Sequence, residues 1–254
     1  MPPLVSKWFH CNRLTLNLKK CNFVIFCTIN KPYPKDLAKL SINGTEITQV
    51  KSTKFLGVII DERLNWDDHI DSVCKRSTEI LGILRKILPS IHPSVYLTLY
   101  YSFIYPYLNY CNIVWAATCP TRLNKLKIIQ KRFMRIITHS DNYAPSAPLF
   151  RKFSILPIDS LNIYQICIFA HKFTYHIHDL PHSFENFFRF TSNVHSHNTR
   201  YSVNTLYLPP SRISGHQQNI SFRAPKLWSD LNLSLRSISS LPLFKKHLKD
   251  HLLP

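Results

Sequence analysis

Glycine and acidic residues are both scarce in this chain of 254 residues. It contains 4 glycines, where average usage would give roughly 18, and 14 acidic side chains against 32 basic ones. The glycines are too dispersed to form a phosphate-binding P-loop or the glycine-rich turn of a dinucleotide-binding fold. Enzymes built on either of those loops are therefore excluded.

The shortage of acidic residues leaves a formal net charge of +18 and an isoelectric point near 9.7. The excess comes in three blocks of +7 each, at residues 1–60, 80–141 and 186–254, separated by an acidic and a neutral stretch. Lys and Arg side chains that neutralise phosphates release condensed counterions, so a polyanion such as a nucleic acid is the favoured partner. The alternative is a basic surface without a dedicated ligand.

Cysteine and histidine show no pattern that is typical of a metal or redox site. The seven cysteines are odd in number and form no C-x-x-C pair, which disfavours a disulfide framework and a zinc module and indicates a reducing, intracellular setting. The 13 histidines have no Cys or carboxylate at metal-ligand spacing, and no Gly-x-Ser-x-Gly elbow occurs. We therefore expect neither a metal ion nor another cofactor in this chain.

A long uncharged run lies between Lys86 and Arg122. It is long enough to span a bilayer, but it contains six tyrosines and Pro106, and tyrosine hydroxyls are costly at mid-membrane depth. The run therefore predicts a buried helical hairpin and no membrane span. The first residues also lack the apolar core of a signal peptide.

Hydrophobic periodicity predicts an α+β, mainly α protein whose strands lie near the N-terminus. The strand candidates are Asn22–Phe26, Lys39–Ile42 and Lys54–Ile60, and Asn43-Gly44 is a strong two-residue hairpin signal. We expect four regions: a small β-hairpin region at 1–64, a helical bundle at 65–140, a linker and buried helix at 141–188, and a tail with a mobile connection and short helices at 189–254.

Apolar residues at helical spacing predict several helices further along the chain. One begins with an N-cap near Asp67, and a tyrosine-rich helix begins at Pro93. Pro106 must kink or end that second helix, because proline lacks the backbone N–H and clashes with the preceding turn. Further helices are predicted over Thr121–Ser140 and Leu161–Tyr175, the latter apolar nearly all round and therefore buried.

Two adjacent acidic pairs, Asp61-Glu62 and Asp67-Asp68, are the candidates for polymerase or nuclease chemistry. That chemistry needs carboxylates that hold two metal ions about 4 Å apart. The second pair lies at the predicted start of an amphipathic helix, where acidic side chains satisfy free amides and the helix dipole. We therefore interpret this pair as a helix cap.

The helix predicted over Thr121–Ser140 has one apolar and one basic face. The basic residues are Lys125, Lys127, Lys131, Arg132 and Arg135. Such a face can lie along a phosphate backbone, although any helix that packs on a core turns its charges outward. The sequence predicts a nucleic-acid contact here, with an ordinary solvated face as the alternative.

Several separated segments resemble, in the same order, the non-LTR retrotransposon reverse transcriptases of the jockey-like group. They read WFHCNRLTLNLKKCNFVIF, KSTKFLGVIIDERLNWDDHI, LYYSFIYPYLNYCNIVWA, LNKLKIIQKRFMRIIT, HSHNTR and FRAPKLWSDLNLSLRSISSLPLFKKHLK. The resemblance covers about residues 4–253, and the agreement of several motifs in order makes it specific.

The resemblance implies roles for two sets of residues. Asn17 and Lys20 match a palm motif that follows the family's catalytic Asp-Asp turn, with Cys21 where Thr is commoner. The segment that resembles the primer-grip hairpin consists of Phe55, Leu56 and Gly57. Residues 1–64 would then be a palm remnant, and residues 65–140 a thumb-like bundle.

The family's metal-binding palm aspartates would lie upstream of Met1, so the resemblance implies a catalytically incomplete fragment that is inactive alone. Mg²⁺ would be needed only by the full-length enzyme. The implied partner is RNA or an RNA–DNA hybrid, bound with low sequence specificity in a nuclear or cytoplasmic ribonucleoprotein. The alternative is a non-catalytic interaction protein or a relic without selected function. The oligomeric state is left open.

Overall fold

Helices predominate in the computed structural model, which describes residues 3–28, 40–42, 44–194 and 205–254. The strands within these residues are two to four residues long, so the predicted α+β, mainly α class is confirmed. The chain divides into two compact units, Met1–Ser72 and Val73–Pro254. The proposed division into four regions stays a prediction.

In its described residues, the first unit combines a short N-terminal helix and the start of a longer one with paired short strands. Its elements are α1 (Pro3–Cys11), β1 (Asn22–Phe23), β2 (Ser41–Ile42), β3 (Thr45–Glu46), β4 (Thr48–Gln49), β5 (Ser52–Phe55) and β6 (Val58–Asp61). Strand β1 pairs with β4 in parallel, whereas β2–β3 and β5–β6 are antiparallel pairs. The β2–β3 pair agrees with the predicted hairpin, in which Gly44 has a φ of +77°; Lys39 and Asn43 lie outside the described residues.

The β5–β6 hairpin corrects the prediction of one strand over Lys54–Ile60. Phe55 pairs with Val58, and the two residues between them, Leu56 and Gly57, have φ values of +45° and +87°. Positive φ at both central positions is the geometry that the right-handed twist of a two-residue hairpin requires. The chain therefore reverses in the middle of the predicted strand.

A carboxylate organises the turn that leads from β6 into the first long helix, α2 (Asp67–Ile87). Asp61 accepts hydrogen bonds from the backbone N–H groups of Arg63 (2.9 Å), Asn65 (3.1 Å) and Trp66 (2.8 Å). These bonds stabilise a turn in which Trp66 has a φ of +67°, an uncommon value for a bulky residue. Asp67 and Asp68 lie in the first turn of the helix, and their role as a cap stays a prediction.

The second unit is made of helices in the residues that the structure describes. Besides the greater part of α2 they are α3 (Tyr96–Leu99), α4 (Tyr105–Asn109), α5 (Asn112–Trp115), α6 (Pro120–Ile137), α7 (Ala147–Lys152), α8 (Ile158–Tyr175), α9 (Ser214–Gln217), α10 (Ile220–Asp230), α11 (Leu233–Arg236) and α12 (Leu241–Leu252). Helices α6 and α8 begin one and three residues before their predicted starts, respectively.

A π-helical turn, Tyr100–Ile104, joins α3 to α4. The N–H of Tyr105 donates to the carbonyl of Tyr100, five residues back, so the helix is wider just before Pro106. This widening accommodates the proline ring, and the helical segment continues to Asn109. The prediction that Pro106 must kink or end the helix is therefore replaced by a local change of helix type.

Helix α8 forms the centre of the second unit and contacts α5, α6, α10 and α12. It is buried over most of its surface, as predicted, and it packs against the fully buried Trp228 of α10 and Phe244 of α12. A helix with apolar residues all round is stable in water only when neighbouring helices cover it on several sides. The short C-terminal helices supply that cover.

His171 lies inside this core with one satisfied ring nitrogen. Its Nε2–H donates to the Ile238 carbonyl at 2.8 Å, and its ring stacks on Phe244 with a centroid separation of 4.2 Å. Its Nδ1 atom is buried and has no partner among the described residues. Burial lowers the pKa of the imidazole, because the charged form loses its hydration. Protonation would place a second proton on Nδ1, where no acceptor is available.

Acidification is therefore expected to destabilise the second unit through His171. The unfolded imidazole titrates with a pKa of about 6.5, whereas the folded pKa is lower. Stability is fully present above the unfolded pKa and falls as the pH drops from that value toward the folded pKa. Urea unfolding followed by tryptophan fluorescence between pH 7.5 and 5.5 measures the slope. His171→Gln should reduce this pH dependence, whereas His251→Gln at an exposed position should not; equal slopes in all three proteins would contradict the assignment.

Candidate nucleic-acid interface

Helix α6 separates apolar and basic side chains onto opposite sides. Pro120 occupies the first turn, where a missing N–H costs nothing. The inward side is buried and consists of Leu123, Leu126, Ile129, Gln130, Phe133, Met134 and Ile137. The helix contains no acidic residue, so its outward side carries only positive charge.

Three of the predicted basic residues form the outward charge of α6. Lys125 and Arg132 are exposed, and Lys131 is half-buried. Lys125 and Arg132 are seven residues apart, about 10 Å along the helix axis, and lie on the same face. Ile128, 42% exposed, lies between them. The outward side is thus a basic stripe with an apolar contact point at its middle.

The two other predicted basic residues of α6 are held by neighbouring elements. Lys127 Nζ forms an ion pair with Asp159 Oδ2 in the first turn of α8. Arg135 Nε donates to the Ala144 carbonyl at 3.1 Å, which ties the helix to the loop that follows it. Lys125, Lys131 and Arg132, named here the α6 basic stripe, lie on the outward side of the helix, and Lys127 and Arg135 lie beside them.

The residues that resemble a palm motif lie in the first unit, next to a short helical turn, Leu18–Lys20. Asn17 and Lys20 have exposed side chains, and the Lys20 N–H donates to the Asn17 carbonyl at 3.0 Å. The Cys21 thiol also donates to the Asn17 carbonyl, at 3.3 Å. The geometry fixes the backbone of this turn and leaves the Lys20 ammonium in solvent.

The residues that resemble a primer grip form the tip of the β5–β6 hairpin. Phe55 is 61% exposed and Leu56 is 73% exposed. Gly57 completes the turn with a φ that a side chain rarely tolerates. The tip of the hairpin therefore carries two large, exposed apolar side chains.

The acidic residues nearest to this hairpin are engaged in local structure. Both oxygens of Asp61 accept backbone N–H groups, and Glu62 lies 3.9 Å from the Arg63 guanidinium. Within residues 3–28, 40–42, 44–194 and 205–254, no three His, Cys, Asp or Glu side chains are placed to hold a metal ion. Over the same described ranges, no helix combines the length and hydrophobicity needed to cross a membrane.

Two curated proteins of Drosophila melanogaster are similar to this chain. "Probable RNA-directed DNA polymerase from transposon BS" is 22% identical over 152 residues, and "Probable RNA-directed DNA polymerase from transposon X-element" is 24% identical over 161 residues. The matches cover 59% and 62% of this chain. The chain is related to the RNA-directed DNA polymerases of non-LTR retrotransposons. No protein-family model matches it, and no solved structure gives a significant match.

The relationship to these polymerases covers a small part of them. The match spans 17% of the length of either retrotransposon protein. The resemblance noted in the sequence is thereby confirmed at the level of retrotransposon reverse transcriptases. The match alone therefore assigns no substrate of the complete polymerases to this chain.

Patterns in the sequence of this chain did not predict the residues that organise its surfaces. Gln130 lies on the apolar side of α6 and is fully buried, and a polar residue among inward positions is the signal that could have revealed it. Asp159, by contrast, pairs with Lys127 of α6 from 32 residues further along the chain, and Arg223 lines a cleft that Lys127 also lines. No spacing in the sequence connects them.

Proposed function

We propose that this chain binds RNA or an RNA–DNA hybrid through backbone phosphates that contact the α6 basic stripe. The observation that carries the proposal is the stripe itself: Lys125, Lys131 and Arg132 on one side of a helix without any acidic residue. Phosphate contacts of this kind fix position and carry no base information. The binding is therefore directed to the shape of an A-form helix and has low sequence specificity.

The related polymerases support this choice of nucleic acid. Their names describe DNA synthesis directed by RNA, a reaction whose template and product form an RNA–DNA hybrid. This chain supplies helices and a basic surface, which suits a region that holds the hybrid. We accordingly propose that residues 65–140 act as a thumb-like bundle within a ribonucleoprotein.

Fluorescence anisotropy with a labelled RNA–DNA hybrid tests the proposal directly. We expect saturable binding whose affinity falls linearly with salt concentration on logarithmic axes, because bound phosphates release counterions. Two hybrids of unrelated sequence should bind equally well, and duplex DNA of the same length more weakly. Binding that does not depend on salt, or no binding near 50 mM salt, would overturn the proposal.

The tip of the β5–β6 hairpin is proposed as a second, apolar contact with the same nucleic acid. Phe55 and Leu56 expose surface that can pack on a base or a sugar at the end of a strand. In the anisotropy experiment, Phe55→Ser with Leu56→Ser should weaken binding and leave the slope of affinity against salt unchanged. Unchanged affinity would remove this hairpin from the interface.

We further propose that residues 1–254 alone do not synthesise DNA. A polymerase site needs carboxylates that are available to metal ions, and those of Asp61 and Glu62 are engaged by backbone amides and by Arg63. Primer extension on an RNA template with Mg²⁺ should therefore show no product above a no-protein control. Templated extension by the purified chain that Lys20→Ala abolishes would contradict this expectation.

A further inference from the structure

A polar cleft opens between α6, α8 and α10, inside the second unit. Its volume is about 640 Å³, within the range of about 300–1,000 Å³ that small-molecule sites occupy. The polar residues that line it include Thr121, Asn124, Lys127, Asp159, Asn162 and Arg223. Three separate helices thus direct hydrogen-bonding groups into one concave site.

Two of these residues have buried polar atoms without hydrogen-bond partners among the described residues. They are Nη1 of Arg223 and Oδ1 of Asn162, and the Asn162 side chain is almost completely buried, with 1% exposure. Burial also lowers the pKa of the Arg223 guanidinium, because the charged form loses hydration. A buried charged donor without an acceptor destabilises a folded protein. Arg223 as a whole is half-buried and lines the cleft, so other atoms of its guanidinium can meet a ligand there.

The charges around the cleft select an anion that also carries hydroxyl groups. Lys127 and Arg223 outweigh the carboxylate of Asp159, and the first turn of α6, at Thr121, adds the positive end of an 18-residue helix. Asp159 can accept hydrogen bonds from hydroxyls. A phosphate attached to a ribose offers both kinds of group.

We propose that this cleft binds the phosphate of a nucleotide, with Arg223 and Lys127 as its ligands. The nucleotide is either free or part of a strand that follows α6, since Lys131 of the basic stripe is one helical turn from Lys127. If the nucleotide is part of a strand, this inference rests on the proposed function, because that function supplies the strand. Binding of a free nucleotide does not depend on the proposed function.

Isothermal titration calorimetry on the full chain tests the site with defined probes. Adenosine 5′-monophosphate should bind saturably, inorganic phosphate more weakly, and adenosine undetectably. Arg223→Met should weaken binding of the monophosphate by about tenfold or more, because a charge-assisted hydrogen bond is lost. The matched control, Lys125→Ala with Arg132→Ala, should leave it within about twofold, since screened charges outside a site contribute little.

The same variants separate this inference from the proposed function. If the control variant loses hybrid binding but retains the monophosphate, both proposals stand, and a short RNA that binds more tightly than the monophosphate identifies a strand as the source. If the hybrid does not bind but binding of the monophosphate still depends on Arg223, only the cleft proposal is supported. Equal binding of adenosine and its monophosphate would overturn the cleft proposal, and so would an Arg223→Met variant with wild-type affinity.

Thermal unfolding distinguishes a ligand-binding Arg223 from a structural one. Without ligand, Arg223→Met should raise the melting temperature, because it removes an unpartnered buried donor. The monophosphate should raise the melting temperature of the wild type and not that of the variant. A variant that melts lower and binds normally assigns Arg223 a structural role. If Arg223→Met does not fold, Lys127→Met carries the test: it should weaken binding of the monophosphate, and unchanged or tighter binding overturns the proposal.

Discussion

Replacing Lys125, Lys131 and Arg132 together by alanine is expected to lower the affinity for an RNA–DNA hybrid by about a hundredfold near 0.1 M salt. The three side chains form the α6 basic stripe, and they are exposed or half-buried in a helix without acidic residues. Each lost phosphate contact reduces the slope of log affinity against log salt by about 0.7–0.9, so the slope should fall by about 2–3. Anisotropy titrations at several salt concentrations measure both quantities.

A triple variant elsewhere on the second unit provides the matched control. Arg151, Lys226 and Lys246 are all exposed and lie outside α6. Their replacement by alanine removes the same net charge, so any effect of overall charge is the same in both variants. The control should lose much less affinity and keep its salt slope. Equal losses in the two triple variants would mean that the charge of the whole chain, and not the stripe, binds the nucleic acid.

Replacing Gln130 by leucine is expected to destabilise the second unit by about 3 kcal/mol, which lowers the melting temperature by roughly 6–12 °C. The side chain is completely buried. Its Nε2 donates to the Tyr100 hydroxyl at 3.0 Å and to the Leu156 carbonyl at 3.3 Å, and its Oε1 accepts the Ile158 N–H at 2.7 Å. Leucine matches the size but leaves all of these groups buried without this partner.

Gln165→Leu is the control for this substitution. Gln165 is half-buried, and its Nε2 donates to Asn109 Oδ1 at 2.6 Å. Solvent can replace that bond in the variant, so the expected loss is below about 1 kcal/mol. Thermal and urea unfolding of both variants compare the losses. Similar losses for Gln130→Leu and Gln165→Leu would show that the buried network does not stabilise the unit in the manner described.

The difference between Gln130 and Lys127 shows how far a sequence can predict a surface. Apolar spacing correctly predicted α6 and its buried side, because one amphipathic helix records its own orientation. The same spacing placed Lys127 among outward charges, whereas Asp159 holds it in an ion pair. That pairing depends on how α8 packs on α6. A local pattern contains no information about such a distant partner.

The two hairpins of the first unit show a similar limit for turns. Asn43-Gly44 predicted a reversal, because both residue types tolerate positive φ. Leu56-Gly57 adopts positive φ at both positions as well, although leucine rarely does so. The strand pairing of β5 with β6 outweighs that local preference. From residue preference alone the turn was not predictable; only the resemblance to a primer-grip hairpin pointed to it.

The π-helical turn at Tyr100–Ile104 accommodates one residue more than an α-helical turn would. An α-helix advances about 100° per residue, so a regular α-helix made from the same residues would rotate everything that follows to a different face. Asn109 would then leave Gln165, and Asn112 would leave Asn162, with which they are now hydrogen-bonded. Related chains that align here without gaps should keep the wide turn. In a relative one residue shorter, a regular α-helical turn can replace the wide turn and keep the contacts of α5 with α8.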